Sequence, residues 1–228
     1  MGLLRRIFGT TEQPEPLGRV GPAVPAADAL ATTPPPEPRD ENAQTEQRGD
    51  SWYAPRDGNR DRFLGPNGIP PLRLIPYRDS SGELVWRLCE DSTGLLVGPS
   101  DVRLPRAGIY FSQLKGEWYH QAACRAGDFR PGAVVKLVRE PDCEADPNAV
   151  AVYDATGRHL AAYVNKQKAR MLAKLIDAGE PIEAISVRGT RPGVPCDQIA
   201  IIAARPDVIH HLRGPRPKDL PTPAHERT

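Results

Sequence analysis

Between residues 107 and 205 the chain alternates short hydrophobic stretches with turn residues, and one helical pattern interrupts them. Short stretches rich in Val, Ile, Leu and Tyr that are bounded by Gly, Pro, Asn or Asp predict β-strands. We predict strands at residues 108–114, 119–123, 133–139, 149–153, 159–164, 182–187 and 199–203. An alternating α/β fold needs a helix at almost every crossover, so this pattern predicts a mainly β fold, a small barrel or sandwich.

The helical pattern covers residues 166–178. Asn165 is a suitable N-cap, because its side-chain oxygen accepts a hydrogen bond from a free N–H of the first turn, and Gly179 with Pro181 ends the helix. Apolar residues recur on one face and basic residues on the other: Ala169, Leu172, Leu175 and Ile176 against Lys166, Lys168, Arg170 and Lys174. The spacing predicts an amphipathic helix with a basic face.

The two ends of the chain have a different composition. The chain contains 26 prolines, and residues 9–60 combine many of them with almost no large apolar residue before Trp52. Such a segment buries too little apolar surface to offset its conformational entropy, which predicts a disordered Pro-rich arm over residues 1–60. Residues 206–228, which are again rich in proline, are predicted to form a loose C-terminal tail.

Residues 61–106 contain three short strand patterns, at residues 72–77, 83–89 and 95–97, with glycine-containing turns between them. Three short strands seldom form a stable unit alone, so we predict an extension that packs against residues 107–205. A small separate sheet is the alternative, because Trp86 and Leu88 alternate with Val85 and Arg87 along one strand.

Net charge and cysteine spacing limit the function classes. With 30 basic and 29 acidic side chains the formal charge is +1, so no overall field attracts nucleic acid or membrane, and any nucleic-acid contact must come from a local patch. No apolar stretch approaches the roughly 20 residues of a membrane span. The four cysteines lie far apart, which is neither zinc-site spacing nor a dense disulfide framework: Cys89, Cys124, Cys143 and Cys196. We predict a soluble cytoplasmic protein with reduced thiols.

Motifs of the common hydrolases are missing from the sequence. It has no phosphate-binding loop, no Gly-x-Ser-x-Gly elbow and no His-Glu-x-x-His pair. In the loop 140–146, Asp142, Glu144 and Asp146 alternate as some calcium ligands do, but the Gly and the final Glu of an EF-hand loop are absent. We therefore predict no enzyme activity, no catalytic residue, no metal and no cofactor. A solvated loop capped by Asp146 or Asn148 is the simplest interpretation, and a metal-dependent nuclease is the alternative.

Residues 107–205 resemble the HIRAN domain, a module found in some Swi2/Snf2 ATPases and alone in bacterial and phage proteins. Four segments carry the resemblance, at residues 116–121, 132–141, 146–152 and 160–166. It implies a compact β-barrel related to OB-type and SH3-like folds that binds single-stranded DNA at its 3′ end. The ATPase and zinc modules of the larger relatives have no counterpart in this sequence.

The resemblance also implies roles for individual residues. Asp146 would accept a hydrogen bond from a free 3′-hydroxyl and repel a terminal phosphate. Tyr119 would stack on an unpaired base, and Trp118 stands where one relative has a basic residue. Tyr163 would be an aromatic residue near the nucleotide. The cations near the phosphates would be Lys166, Lys168 and Arg170, and the loop-structuring residues would be Arg139, Glu140 and Asn148. Ala145 stands where some relatives have a second aromatic residue, and Ala162 stands where Gly is usual. Loss of a stacking face should weaken the binding of DNA and affects the recognition of its 3′ end.

Two hypotheses of function follow. The first is a non-catalytic module that binds single-stranded DNA at 3′-hydroxyl ends and serves DNA repair, replication or phage DNA processing. The second is a protein-interaction adaptor that uses the barrel or the Pro-rich arm, because the overall charge is balanced and the acidic loop opposes DNA locally.

Overall fold

The structure is a computed structural model, and it describes residues 52–227. Its strands in this range are β1 Leu72–Arg78, β2 Leu84–Glu90, β3 Leu96–Val97, β4 Tyr110–Lys115, β5 Val134–Arg139, β6 Val150–Asp154, β7 Leu160–Val164, β8 Glu183–Arg188 and β9 Ala200–Ala204. The α-helices of the same range are α1 Gln121–Ala126, α2 Lys166–Asp177 and α3 Pro206–Arg213. Most of the predicted Pro-rich arm lies outside the described residues.

Six strands of the described range close into a barrel, in the order β4-β7-β6-β5-β8-β9. Every neighbouring pair is antiparallel. Buried side chains from all of these strands form one hydrophobic cluster, which includes Leu114, Val135, Val152, Val164, Ala184 and Ile201. The prediction of a small, mainly β barrel is confirmed.

Helix α2 covers one side of the barrel cluster. Asn165 caps it as predicted, since its side-chain oxygen accepts a hydrogen bond of 3.0 Å from the N–H of Gln167. At the other end Gly179 has a φ of 74°, in the left-handed region that glycine tolerates. Ala169 and Leu172 are fully buried in the barrel cluster, so the apolar face of the predicted amphipathic helix is the one that packs.

The three-stranded sheet packs on the outside of the barrel. Its strands are antiparallel in the order β1-β2-β3. Leu72 and Leu88 of this sheet share a second hydrophobic cluster with Val187 of β8 and Ile202 of β9. Strand β9 is therefore covered on both faces, which is the reason that Ala200–Ala204 is apolar at every position.

The strand predicted at residues 119–123 is wrong. The chain there forms a 3₁₀ helix, Glu117–His120, which continues into α1. Gly116, with a φ of 97°, turns the chain out of β4, and Cys124 of α1 is fully buried with its thiol 3.2 Å from the carbonyl oxygen of Ala161. Burial of the cysteine requires a helical turn, because a strand continuing straight from β4 would leave the barrel.

The C-terminal segment also differs from the expected loose tail. Residues 206–213 form α3, whose Val208, Ile209 and Leu212 are buried in the second cluster. Beyond it, the Arg216 guanidinium donates a hydrogen bond of 2.9 Å to the carbonyl of Asp91. The apolar spacing of α3 was a readable helical signal, and the proline-rich composition of its surroundings obscured it. None of the helices in residues 52–227 has the length and apolar composition to cross a membrane.

Candidate nucleic-acid interface

Three connections leave the barrel at the same end. Lys115, the last residue of β4, lies opposite Tyr163 of β7, and Tyr163 lies opposite Ala151 of β6. Arg139, the last residue of β5, lies opposite Val150. The 3₁₀ helix after β4, the loop between β5 and β6, and the start of α2 after β7 therefore meet around Tyr163. We call this end of the barrel the site end.

Tyr163 links these connections. Its hydroxyl donates a hydrogen bond of 3.1 Å to Oε2 of Glu140 in the β5–β6 loop. Its ring centroid is 6.1 Å from that of His120 in the 3₁₀ helix, with the planes tilted by 53°. Burial raises the pKa of Tyr163 to about 12, and the Glu140 carboxylate adds to the effect, so the hydroxyl keeps its proton at neutral pH. The ring is thereby held in one orientation.

Two large aromatic side chains project from the 3₁₀ helix into solvent. Trp118 is 71% exposed and Tyr119 is 85% exposed. The backbone that carries them is fixed, because the N–H of Tyr119 donates to the carbonyl of Gly116 and the Oε1 of Glu117 accepts from the N–H of Ile199. Exposed rings on an anchored turn are available to stack on a planar ligand.

The acidic loop is held by its own side chains. One carboxylate oxygen of Asp146 accepts hydrogen bonds of 2.9 Å from the N–H and 3.3 Å from the side-chain amide of Asn148. Arg139 donates to the carbonyls of Ala149 and Pro147, and its Nε lies 3.0 Å from Oδ1 of Asp177 at the end of α2. These are the contacts expected of loop-structuring residues.

Asp146 itself is only partly engaged by these contacts. It is half-buried, and its second carboxylate oxygen, Oδ2, receives no hydrogen bond from the described part of the chain. Asp142 and Glu144, by contrast, are exposed. No three His, Cys, Asp or Glu side chains within residues 52–227 are grouped so that they would hold a metal ion.

The first turn of α2 is basic. Lys166 and Lys168 are exposed there, and the turn contains no acidic residue. A helix N-terminus already carries a partial positive charge, and cations beside it are unfavourable by about 0.3 to 1 kcal/mol each. The arrangement costs stability in the free protein and creates a local positive potential, which is the patch that a chain of balanced charge needs to attract an anion.

The model of the HIRAN domain family matches residues 108–196. The chain contains a HIRAN domain. HIRAN domains are known as nucleic-acid-binding modules. The matched range begins just before β4 and ends after β8, so the three-stranded sheet, β9 and α3 lie outside it.

Several solved structures are similar to this chain. The crystal structure of the HIRAN domain of human HLTF is 19% identical with a TM-score of 0.34, and the match covers 46% of this chain and 83% of that chain. The NMR structure of the HLTF HIRAN domain is 17% identical with a TM-score of 0.29, covering 46% and 86%. A protein from Lactobacillus plantarum is 19% identical with a TM-score of 0.34, covering 42% and 92%. No curated protein matches the chain.

The HIRAN domain gathers some of the predicted residues at the site end and directs others elsewhere. The three connections that meet there carry Trp118, Tyr119, Asp146 and Lys166, and they surround Tyr163 of β7. Lys168 lines a groove on the side of the three-stranded sheet, and Arg170 is exposed one turn beyond Lys166 on α2.

Sequence reasoning missed two residues of this region. His120 faces Tyr163, and Lys115 lies directly opposite it on the neighbouring strand. Lys115 lies between the predicted strand 108–114 and the segment 116–121, and this position was the available signal. His120 was missed because residues 117–120 form a 3₁₀ helix, whereas a strand was predicted at residues 119–123.

Proposed function

We propose that this HIRAN domain binds single-stranded DNA at a 3′-hydroxyl end and performs no catalysis. One observation supports the proposal above the others. Exposed aromatic rings, a loop carboxylate with one unused oxygen and a basic helix start all lie at one end of the barrel. These are the groups needed to bind a base, a terminal hydroxyl and a phosphate respectively.

Stacking supplies the sequence-independent part of the binding. Tyr119 stacks on the terminal base. Trp118 provides a second ring, which compensates for the small side chain of Ala145 next to Asp146. Each stacked base contributes about 1 to 3 kcal/mol. Tyr163 is held by Glu140 and borders the terminal nucleotide, so its role is to shape the site.

Asp146 distinguishes the two kinds of 3′ end. Its Oδ2 accepts the hydrogen bond of a 3′-hydroxyl while its Oδ1 stays bonded to Asn148. A terminal phosphate would bring negative charge against the carboxylate, which costs about 1 kcal/mol in bulk water and up to about 4 kcal/mol near a protein surface at a separation of about 4 Å. Lys166 meets an internal phosphate and adds a salt-dependent term.

The test compares two labelled oligonucleotides that differ only in ending in a 3′-hydroxyl or a 3′-phosphate, by fluorescence anisotropy. We expect the phosphate to weaken binding at least about fivefold. Asp146→Asn should reduce this preference, while Asp142→Asn, which removes the same charge from an exposed position in the same loop, should leave it unchanged. Equal binding of the two ends by the unchanged protein would refute end recognition.

The non-catalytic part of the proposal has its own test. Incubation of either oligonucleotide with the protein and magnesium is expected to leave its length unchanged on a denaturing gel, and shortening would refute this part. A module that captures 3′ ends without cleaving them would serve DNA repair, replication or phage DNA processing.

A further inference from the structure

A groove of about 330 Å³ separates the three-stranded sheet from the barrel. Strand β2 forms one wall, with Val85, Trp86 and Arg87. Strands β4 and β8, the segment before β9 and the first turn of α2 form the other wall. Because the three-stranded sheet lies outside the range of the HIRAN match, this groove depends on a part of the chain that the family pattern does not describe.

The groove is basic and polar. Four cations line it, and none of its described lining residues is an Asp or a Glu: Arg87, Lys115, Lys168 and Arg188. The other polar side chains of the lining are amides and hydroxyls. In a chain with 30 basic and 29 acidic side chains, such a surface is a local concentration of positive charge.

The four cations are not equally available to a ligand. Arg188 forms ion pairs of 3.0 Å with Asp79 and 2.9 Å with Glu83, which partly neutralise its charge. Lys115 and Lys168 are exposed, and neither forms an ion pair with another described residue. The two lysines are therefore more available to a ligand than Arg188, although Glu117 acts electrostatically on Lys115.

The groove is continuous with the site end. Lys115 pairs directly with Tyr163 across the β4–β7 ladder. Directly opposed residues of antiparallel strands point to the same face with Cβ atoms about 4.5 to 5.5 Å apart. Lys168 belongs to the same helical turn as Lys166. A chain of phosphates that leaves the site end along this face therefore reaches Lys115 and Lys168 next.

An unused acceptor also lies in the groove. The side-chain oxygen Oε1 of Gln198 is buried and has no hydrogen-bond partner among the described residues. A buried polar atom without a partner is unfavourable, and an N–H of a base that enters the groove would satisfy it. The groove also contains Trp86 and Phe111, and aromatic side chains beside cations are typical of single-strand channels.

We infer that this groove holds the sugar–phosphate backbone of the same single strand, on the 5′ side of its terminal nucleotide. The inference rests on the proposed function. It adds a second binding region, which explains a role for the three-stranded sheet and predicts that affinity depends on the length of the strand.

The test measures binding of 3′-hydroxyl oligonucleotides of about 3 and about 12 nucleotides, lengths that span a single end site and a typical single-strand channel. The groove variant is Lys115→Gln with Lys168→Gln. The matched control is Lys136→Gln with Lys174→Gln, which removes the same charge from exposed positions that do not line the groove. Affinities are measured over a range of salt concentrations.

For the longer oligonucleotide we expect the groove variant to lower the log–log salt slope by about 1.4, since each phosphate contact on a single strand contributes about 0.7. The variant should lose most of the affinity that the added length provides, and the control pair should not. A groove variant with the slope and length dependence of the control would overturn the inference. The inference would also be overturned if the unchanged protein bound the short and the long oligonucleotide with equal affinity.

The two proposals fail in different ways. If 3′-hydroxyl and 3′-phosphate ends bind equally while the groove variant still loses the length-dependent affinity, end recognition is wrong and the groove stands. If the preference for the hydroxyl persists and the groove variant matches its control, only the groove inference is wrong. Absence of binding to either oligonucleotide overturns both.

Discussion

Asp154 organises the turn between β6 and β7, and its replacement by Asn tests how the fold holds β7 in place. The side chain is 3% exposed. Its Oδ1 accepts hydrogen bonds of 2.7 Å from the Thr156 hydroxyl, 3.2 Å from the N–H of Arg158 and 3.3 Å from that of His159, and its Oδ2 is 2.9 Å from Nδ1 of His159. The turn closes on Gly157, whose φ of 76° suits glycine.

These contacts set the pKa of Asp154. Burial raises it, but the hydrogen bonds from His159, Thr156 and the backbone outweigh burial and lower the pKa from 3.8 to about 2. The unfolded chain therefore takes up a proton at this carboxyl before the folded chain does as pH falls. The difference corresponds to about 2 kcal/mol of stability, which is fully present above about pH 4 and is lost as pH falls towards about 2.

Urea unfolding of the protein and of Asp154→Asn, followed by circular dichroism from neutral pH down to about pH 2, measures this contribution. We expect the variant to be less stable by about 2 kcal/mol or more at neutral pH and the difference to narrow as pH falls. Comparing the two proteins at each pH cancels the other carboxylates. Asp142→Asn, at an exposed position, should show no such narrowing. A difference that is zero at neutral pH, or constant with pH, would refute the assignment.

Three further predictions concern single residues. Tyr119→Ala should weaken single-strand binding by about 1 to 3 kcal/mol in an anisotropy titration without lowering the melting temperature, because the ring is 85% exposed. Burial raises the pKa of Glu117, so the free energy of unfolding falls as pH rises through that pKa and the buried carboxyl ionises. Glu117→Gln removes this ionisation. The variant should therefore have a higher urea midpoint than the unchanged protein at neutral pH, but not at pH values below 4.5. Gly132→Ala should lower the melting temperature more than Gly193→Ala. The two glycines have similar φ values, 89° at Gly132 and 88° at Gly193. A Cβ added at Gly132 would lie 2.5 Å from the Trp86 ring, whereas a Cβ added at Gly193 would have no neighbouring atom within 4 Å among the described residues. Overpacking of this kind costs about 1 to 3 kcal/mol, and equal losses would show that backbone strain alone is responsible.

The parts of the fold that were predictable from the sequence are those specified by neighbouring residues. Alternation of apolar residues located most of the barrel strands, and the Asn165 cap and Gly179 stop located α2 almost to the residue. The failures are short elements whose conformation depends on distant partners. The 3₁₀ helix and α1 form because Cys124 is buried against β7, and α3 forms where its apolar face meets the second cluster.

The residue pattern specifies a mainly β fold, and the resemblance to a family adds the barrel and the candidates Tyr119, Asp146, Tyr163 and Lys166. Their spacing along the chain does not show that they meet, because contacts between separate connections depend on strand register. The groove, in contrast, exists only in the folded protein. Its cations come from β2, β4, β8 and α2, which are remote in sequence. Closure of the barrel brings Lys115, Lys168 and Arg188 to one side, and the packing of the three-stranded sheet adds Arg87. Local patterns predict elements, whereas charge density at a surface is a property of how those elements are assembled.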